Sequence, residues 1–192
     1  MLNIVLISGS IRAESANTAV LRAAADYLAG ADAASGREPV SVTRAAIDDL
    51  PAYNEDVEEV GWPHPVQRLR DIVADADAIL VSTPEYNGSM PGVLKNALDW
   101  MSRPHGDGVL QGKVAATISA SPSPYGAQWA QEHLRAVLEA CKVTLVNPEP
   151  VTLANAFDAL DAHGEVTAPD ALVAIRRLTD QVLARSRQLT RQ

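Results

Sequence analysis

Residues 9–18, GSIRAESANT, gather groups that hold anions. With Ser8 counted there are four hydroxyls (Ser8, Ser10, Ser15, Thr18), together with the amide of Asn17 and the guanidinium of Arg12, all directly before a helical pattern. A helix N-terminus offers unpaired N–H groups and a partial positive charge, so such a cluster there suits a phosphate. An ordinary capped helix needs only one hydroxyl. The stretch matches neither G-x-x-x-x-G-K-[ST] nor G-x-G-x-x-G, which favours a phosphomonoester over a nucleoside triphosphate. A second stretch, TPEYNGSMPG at 83–92, holds two prolines, two glycines and an Asn-Gly pair. Its rigid, turning backbone can fix N–H and C=O groups against the polar edge of a planar ring, with Gly88 permitting close approach. Strand-to-helix connections usually need about six residues or fewer, so the extra length favours a binding role over a plain turn.

The elements that must position these loops alternate. Strand-like runs at 2–7, 40–43, 78–83, 113–119 and 143–146 are separated by helical patterns, which predicts an α/β protein with a parallel sheet. The first run is almost wholly aliphatic, as for a strand buried on both faces. Val20, Leu21, Ala24, Ala25 and Leu28 share one face of a helix over 18–29, ahead of a Ser35-Gly36 turn. Residues 50–65, with three prolines and the carboxylates Glu55, Asp56, Glu58 and Glu59, read as a long surface loop with a solvated acidic face. A short helix around Val66, Leu69, Ile72 and Val73 follows. Leu94, Ala97, Leu98 and Met101 mark the next, with Pro91 at an early position. Leu134, Val137, Leu138 and Cys141 mark another. The last uses Leu172, Ile175, Leu178 and Val182, entered through a capping-box-like Thr167-x-x-Asp170. In such sheets ligands bind beyond the carboxyl ends of the strands, where the loops after the first, third and fourth strands converge.

Composition narrows the function. The 192 residues, 47% apolar, fit one globular domain spanning 1–192. With 24 acidic against 16 basic residues the net charge is −8, and with no basic patch nucleic acid is excluded as a partner. No apolar stretch approaches the roughly 20 residues of a membrane span. The strand-like LNIVLIS stands where a signal peptide would carry basic residues and a cleavage site, so a cytoplasmic protein is expected. A single cysteine and unpaired histidines leave no disulfide framework and no zinc spacing.

The pair GSIRAESANT and TPEYNGSMPGVLKNALDWMSRP closely resembles the NADPH-dependent FMN reductase family, flavodoxin-like proteins that include quinone, chromate and azo-dye reductases. The resemblance implies a doubly wound, five-stranded parallel sheet of order 2-1-3-4-5 that binds FMN at its carboxyl edge. Ser10, Arg12, Ser15, Asn17 and Thr18 would hold the FMN phosphate. Pro84, Glu85, Tyr86, Asn87 and Gly88 would line the isoalloxazine ring, mainly through backbone groups, with Ser89 just beyond. The third loop, SASPSPYGAQWAQEHLR at 119–135, departs from the family: Trp129 stands where an arginine is expected, and Gly126-Ala127 replaces a Gly-Gly pair. It would still border the flavin through Ser119, Ser121 and Tyr125. The implied activity is hydride transfer from NADPH or NADH to FMN and reduction of a small-molecule acceptor, a quinone, free flavin, azo compound or chromate. The family further implies a homodimer or homotetramer and no essential catalytic side chain. The alternatives are a flavodoxin-type electron carrier without NAD(P)H turnover, against which stands the lack of a T/S-x-T-G-x-T loop, and a scaffold that has lost its flavin.

Other reactive residues take plainer roles. Cys141 lies on the apolar stripe of its helix and reads as core. His64, His133 and His163 read as surface residues, while His105 in RPHGDG lies nearest the expected cleft and could exchange a proton there. Trp62 and Trp100 suit a core or a subunit interface. GSMPG has serine in its second place, so it is no nucleophile elbow.

Overall fold

Along the first strand, Leu2, Ile4 and Leu6 enter one hydrophobic cluster while Val5 and Ile7 enter another, as the two-residue period of an extended chain requires. In the computed structural model, which describes residues 1–35 and 39–189, this run is β1 (Leu2–Ser8). There follow α1 (Ala16–Ser35), β2 (Val40–Ala45), α2 (Glu55–Val60), α3 (His64–Ala74), β3 (Ala78–Thr83), α4 (Gly92–Met101), β4 (Val114–Ala120), α5 (Gln128–Ala140), β5 (Thr144–Leu145), β6 (Val151–Leu153), a short 3-10 turn (Ala156–Ala159) and α6 (Pro169–Leu189). The strands pair in parallel in the order β2-β1-β3-β4-β5, with β6 also on β4. The central β3 and β4 are buried throughout. Apolar residues of α1 and α6 cover one face; those of α3, α4 and α5 cover the other. The doubly wound order 2-1-3-4-5 that the resemblance implies is the order observed, in a sheet of six strands where five were expected.

The fifth position differs from the single strand expected at 143–146. Two short strands share it, because Pro148 and Pro150 have no N–H for a ladder. Asn147 bridges the break with its side chain: Oδ1 accepts from the Thr117 N–H at 3.3 Å and Nδ2 donates to the Thr117 carbonyl at 3.2 Å. Arg135 donates to the carbonyls of Asn147 and Pro148 at 2.8 and 3.0 Å, so the exposed bend is tied to α5.

Residues 50–65 are not all loop. Asn54 Oδ1 accepts from the Asp56 N–H at 3.0 Å and starts α2, whose first turn holds Glu55, Asp56 and Glu58 where the helix's positive end favours carboxylates. The segment is anchored from beneath: Trp100, fully buried, donates Nε1–H to the Pro51 carbonyl at 2.8 Å and meets Tyr53 edge-on at 4.9 Å. Trp62 packs under the Arg70 guanidinium, 3.9 Å from its ring centre. Both tryptophans therefore serve internal packing.

Three helix ends also differ. α1 continues past 29 to Ser35, so the Ser35-Gly36 turn has its serine in the helix, while Gly36 lies outside the described residues. Pro91 precedes α4 instead of sitting within it. The Thr167-x-x-Asp170 box does not form: α6 starts at Pro169, whose fixed φ suits a first helical residue, and the Ala168 carbonyl takes the Leu172 N–H. Thr167 instead donates its N–H to Ala159. Among the described residues no helix is long and apolar enough to cross a membrane.

Candidate active site at the carboxyl edge of the sheet

Strand register brings Ser8, Ser82 and Ile118 level across β1, β3 and β4, so the following loops rise from one edge. Gly9 sets the first loop close to its neighbour. Its N–H donates to the Ser82 carbonyl at 2.7 Å, and a Cβ there would lie 2.9 Å from Leu94 Cδ2 and 3.2 Å from that carbonyl. The loop then opens a cleft of about 200 Å³ bounded by Ser10, Arg12, Ser15 and Asn17 from this side, by Pro84, Glu85 and Tyr86 from the second loop, and by Ser121, Pro122 and Phe157 opposite.

Each polar side chain of the first loop has a separate task. Ser15 caps α1, its Oγ accepting from the Thr18 N–H at 3.3 Å. Ser10 Oγ accepts from the Arg12 N–H at 3.5 Å. As acceptors, both hydroxyls keep their own O–H to donate. Thr18 Oγ1 lies 3.0 Å from Ser8 Oγ, turned away from the cleft. Asn17, almost fully buried, donates Nδ2–H to the Ala120 carbonyl at 2.9 Å, while Oδ1 accepts from Ser82 Oγ at 2.8 Å and the Ala120 N–H at 3.1 Å. Its amide thus pins the start of α1 to β3 and β4, and its backbone N–H is left for a ligand. The N–H groups of Ile11, Ala13, Glu14 and Ala16 meet no protein acceptor among the described residues. Arg12 is exposed and is the one cation among the cleft-lining residues. Free N–H groups, two donor hydroxyls, a helix N-terminus and one guanidinium form a nest that fits a phosphate.

The second loop is a two-residue hairpin turn. Tyr86 and Ser89 exchange N–H···O bonds of 2.9 and 3.1 Å, and the central Asn87 and Gly88 have φ of 53° and 74°. An Asn-Gly pair at positive φ is the sequence a type I′ turn demands. Asn87 and Gly88 stand exposed at its tip beyond the cleft wall. Glu85, the only carboxylate lining the cleft among the described residues, points away from the anion nest: Oε2 accepts from the Ala130 N–H of α5 at 3.2 Å. Ser89 meets His133 Nδ1 at 3.0 Å.

The third loop is closed by its own contacts. Ser119 is fully buried and donates to the Gly126 carbonyl at 2.6 Å, so it supports the loop and does not line the cleft. Ser121 lines it, with its backbone fixed by Leu153 and Ala156 and its Oγ accepting from the Ser123 N–H. Gly126, at φ 61°, has no room for a Cβ, which would fall 2.9 Å from Thr152. Tyr125 and Trp129 meet at 5.1 Å between ring centres with their planes tilted by 50°, and both remain exposed. Phe157, from the 3-10 turn, is a lining residue that sequence reasoning missed, since nothing in the local pattern of the tail carries the signal.

His105 does not lie at the cleft. It follows α4, and in a parallel αβ chain helices end at the amino edge of the sheet, opposite the cleft. There it borders a separate cavity of about 370 Å³ with Lys95, Arg103 and Cys141. Cys141 is the residue just after α5, half-buried, and burial raises its thiol pKa. His133, read as a plain surface residue, is the histidine that reaches the site's loops.

A doubly wound sheet with an anion nest between its first strand and helix, faced by a rigid turn, defines a mononucleotide-binding protein of the flavodoxin-like class. Residues 2–158 match the family of NADPH-dependent FMN reductases, and the chain belongs to that family. Over 160 residues it is 42% identical to an NAD(P)H-dependent FMN reductase of Pseudomonas aeruginosa, covering 83% of this chain and 82% of the relative. It is 36% identical to a 2-hydroxy-1,4-benzoquinone reductase of Burkholderia over 95% of both chains. Among solved structures, the flavoenzyme NAD(P)H:(acceptor) oxidoreductase FerB of Paracoccus denitrificans superposes with a TM-score of 0.82 at 32% identity, covering 98% of each chain.

Proposed function

We propose that this chain is one FMN-binding domain that oxidises NADPH or NADH and reduces a quinone. The observation that carries the reading is the nest at the start of α1, whose free N–H groups, Ser10 and Ser15 hydroxyls and Arg12 suit a phosphomonoester dianion. Ser10, Arg12 and Ser15 would bind it directly, and Asn17 through its N–H, while Thr18 and the Asn17 amide hold the nest in shape. Pro84, Glu85 and Tyr86 would form the wall beside the ring, with the Asn87-Gly88 turn and Ser89 bearing on its edge through backbone groups and Ser121 opposite. Ser119 supports from beneath.

The redox chemistry, hydride acceptance from a nicotinamide and two-electron delivery to the acceptor, is supplied by FMN when bound. The chain's own work is to bind and orient. At about 200 Å³ the cleft is smaller than the roughly 300–1,000 Å³ that engulfs a drug-sized ligand, so part of a bound ring stays outside it for donor and acceptor to reach. The exposed Tyr86 and Phe157 line that cleft and suit a planar aromatic acceptor. Exposed aromatics at the mouth also favour a homodimer or homotetramer in which a second copy narrows it. A cytoplasmic site, where NAD(P)H is supplied, fits this activity.

The test is the visible spectrum of protein loaded with FMN and desalted, followed by anaerobic NADPH or NADH and then a benzoquinone. Retained flavin that a nucleotide bleaches and the quinone restores is the expected result. Retained flavin that neither nucleotide reduces would replace the reductase with an electron carrier, and absence of retained flavin would remove the cofactor assignment.

A further inference from the structure

Helix α5 begins without a cap of its own. Its N-cap residue is Ala127, in the left-handed region at φ 61°, and alanine has no side-chain oxygen for the first-turn N–H groups. The acceptor comes from the second loop, where Glu85 Oε2 takes the Ala130 N–H at 3.2 Å. Three residues on, His133 Nδ1 lies 3.0 Å from Ser89 Oγ. Ala130 and His133 stand one turn apart on the same helix face. Glu85 and Ser89 flank the Asn87-Gly88 turn, one on either side. The two hydrogen bonds between Tyr86 and Ser89 give that turn its shape, but nothing within it sets the direction in which it points. Two contacts tie it to α5, and Met90 beside it is buried in the core.

Building on the flavin reading above, we propose that Glu85 and His133 are positioning residues that clamp the Asn87-Gly88 turn to α5, so that the first turn of this helix governs affinity for FMN and its reduction potential. The Glu85 carboxylate is held at the N-terminal end of α5, which keeps it off the phosphate nest. Affinity and potential both depend on where backbone groups meet the ring edge, and a small displacement of a binding group costs binding out of proportion to its size.

The experiment uses the full chain and the variants Glu85→Ala, Glu85→Gln, His133→Ala and Ser89→Ala. Three quantities are read: amide hydrogen exchange in the first turn of α5 without FMN, the FMN dissociation constant, and the midpoint potential of the bound flavin. Glu85→Ala should speed exchange at Ala130 and weaken FMN binding, each by about tenfold, and shift the potential. Glu85→Gln keeps an oxygen acceptor and should recover most of both. His133→Ala and Ser89→Ala should each weaken binding about threefold and shift the potential in the same direction as Glu85→Ala; should Glu85→Ala fail to fold, these two and Glu85→Gln carry the test. Unchanged exchange overturns the clamp, and faster exchange with affinity and potential within twofold of wild type overturns the positioning role. Wild-type protein that takes up no FMN overturns the flavin reading and the positioning role together, and the exchange result then still decides whether the clamp exists.

Discussion

The loop at residues 9–15 and the loop at 84–90 leave the same edge of the sheet, yet they are stabilised in different ways. The first is held by polar side chains near it in sequence: Ser15 caps α1, Thr18 meets Ser8, and Asn17 reaches across to Ala120 and Ser82. That inward commitment leaves its backbone N–H groups and Arg12 facing outward. The second loop has its shape written locally, in Asn87 and Gly88 at positive φ, and its orientation imposed by α5 through Glu85 and Ser89. A ligand anchored at the first loop and read by the second is therefore bound by one site rigid from within and another rigid from without.

That contrast breaks most readily at Asn17. Asn17→Ala strands a buried N–H, carbonyl and hydroxyl at Ala120 and Ser82, at about 1–3 kcal/mol for each group left unpaired. A loss of about 3 kcal/mol is expected in urea unfolding, and FMN binding should fall with it. Next is Gly88→Val. Open space surrounds the position, so crowding is not the obstacle; φ of +74° is, and a β-branched residue there strains the turn. The protein should stay folded by circular dichroism while the FMN dissociation constant rises by about thirtyfold, equal to about 2 kcal/mol. Arg12→Ala sharpens the difference further, because Arg12 is exposed and lends nothing to the loop's own framework. Thermal stability without FMN should be unchanged while FMN affinity falls by about tenfold or more, as for loss of a charge-assisted hydrogen bond. Unaltered affinity would remove Arg12 from the phosphate nest.

The smallest effect is expected at the other edge of the sheet. Burial raises the Cys141 thiol pKa, so the folded protein holds the neutral thiol at a pH where the unfolded chain has begun to ionise. Alkylation by iodoacetamide should be slower than in denatured protein and its pH profile displaced upward. By linkage, this group's contribution to stability is complete below the ordinary thiol range and declines as pH rises through the folded value. A profile matching that of a free thiol would contradict the burial. FMN should leave the rate unchanged, since Cys141 borders a cavity separate from the cleft.

Much of the molecule could be read in one dimension because its signals are short-range. Aliphatic runs fix where strands lie, helical spacing marks the apolar faces, and residues 9–18 and 83–92 announce an anion nest and a tight turn through residue type alone. Other features were hidden by distance. Asn147 replaces a length of ladder that the prolines around it forbid, so an expected single strand became two. Thr167 has the right residue for a cap, but Pro169 starts the helix two residues later. His105 is close in sequence to the loop at 83–92 yet lies across the sheet from it, because ten residues of α4 intervene.

What the sequence by itself determined is the order of strands and helices, the sheet they make and the family to which the chain belongs, since burial pattern and turn chemistry are properties of neighbouring residues. Only the tertiary structure decided what each polar side chain does. Asn17, Ser119, Glu85 and His133 have donors and acceptors that could serve a ligand or the protein, and that choice depends on partners 44 to 103 residues away for Asn17, Glu85 and His133's Ser89 contact taken together. The physical reason is that a hydrogen bond requires a particular atom within about 3 Å, and chain folding, not residue type, supplies that atom.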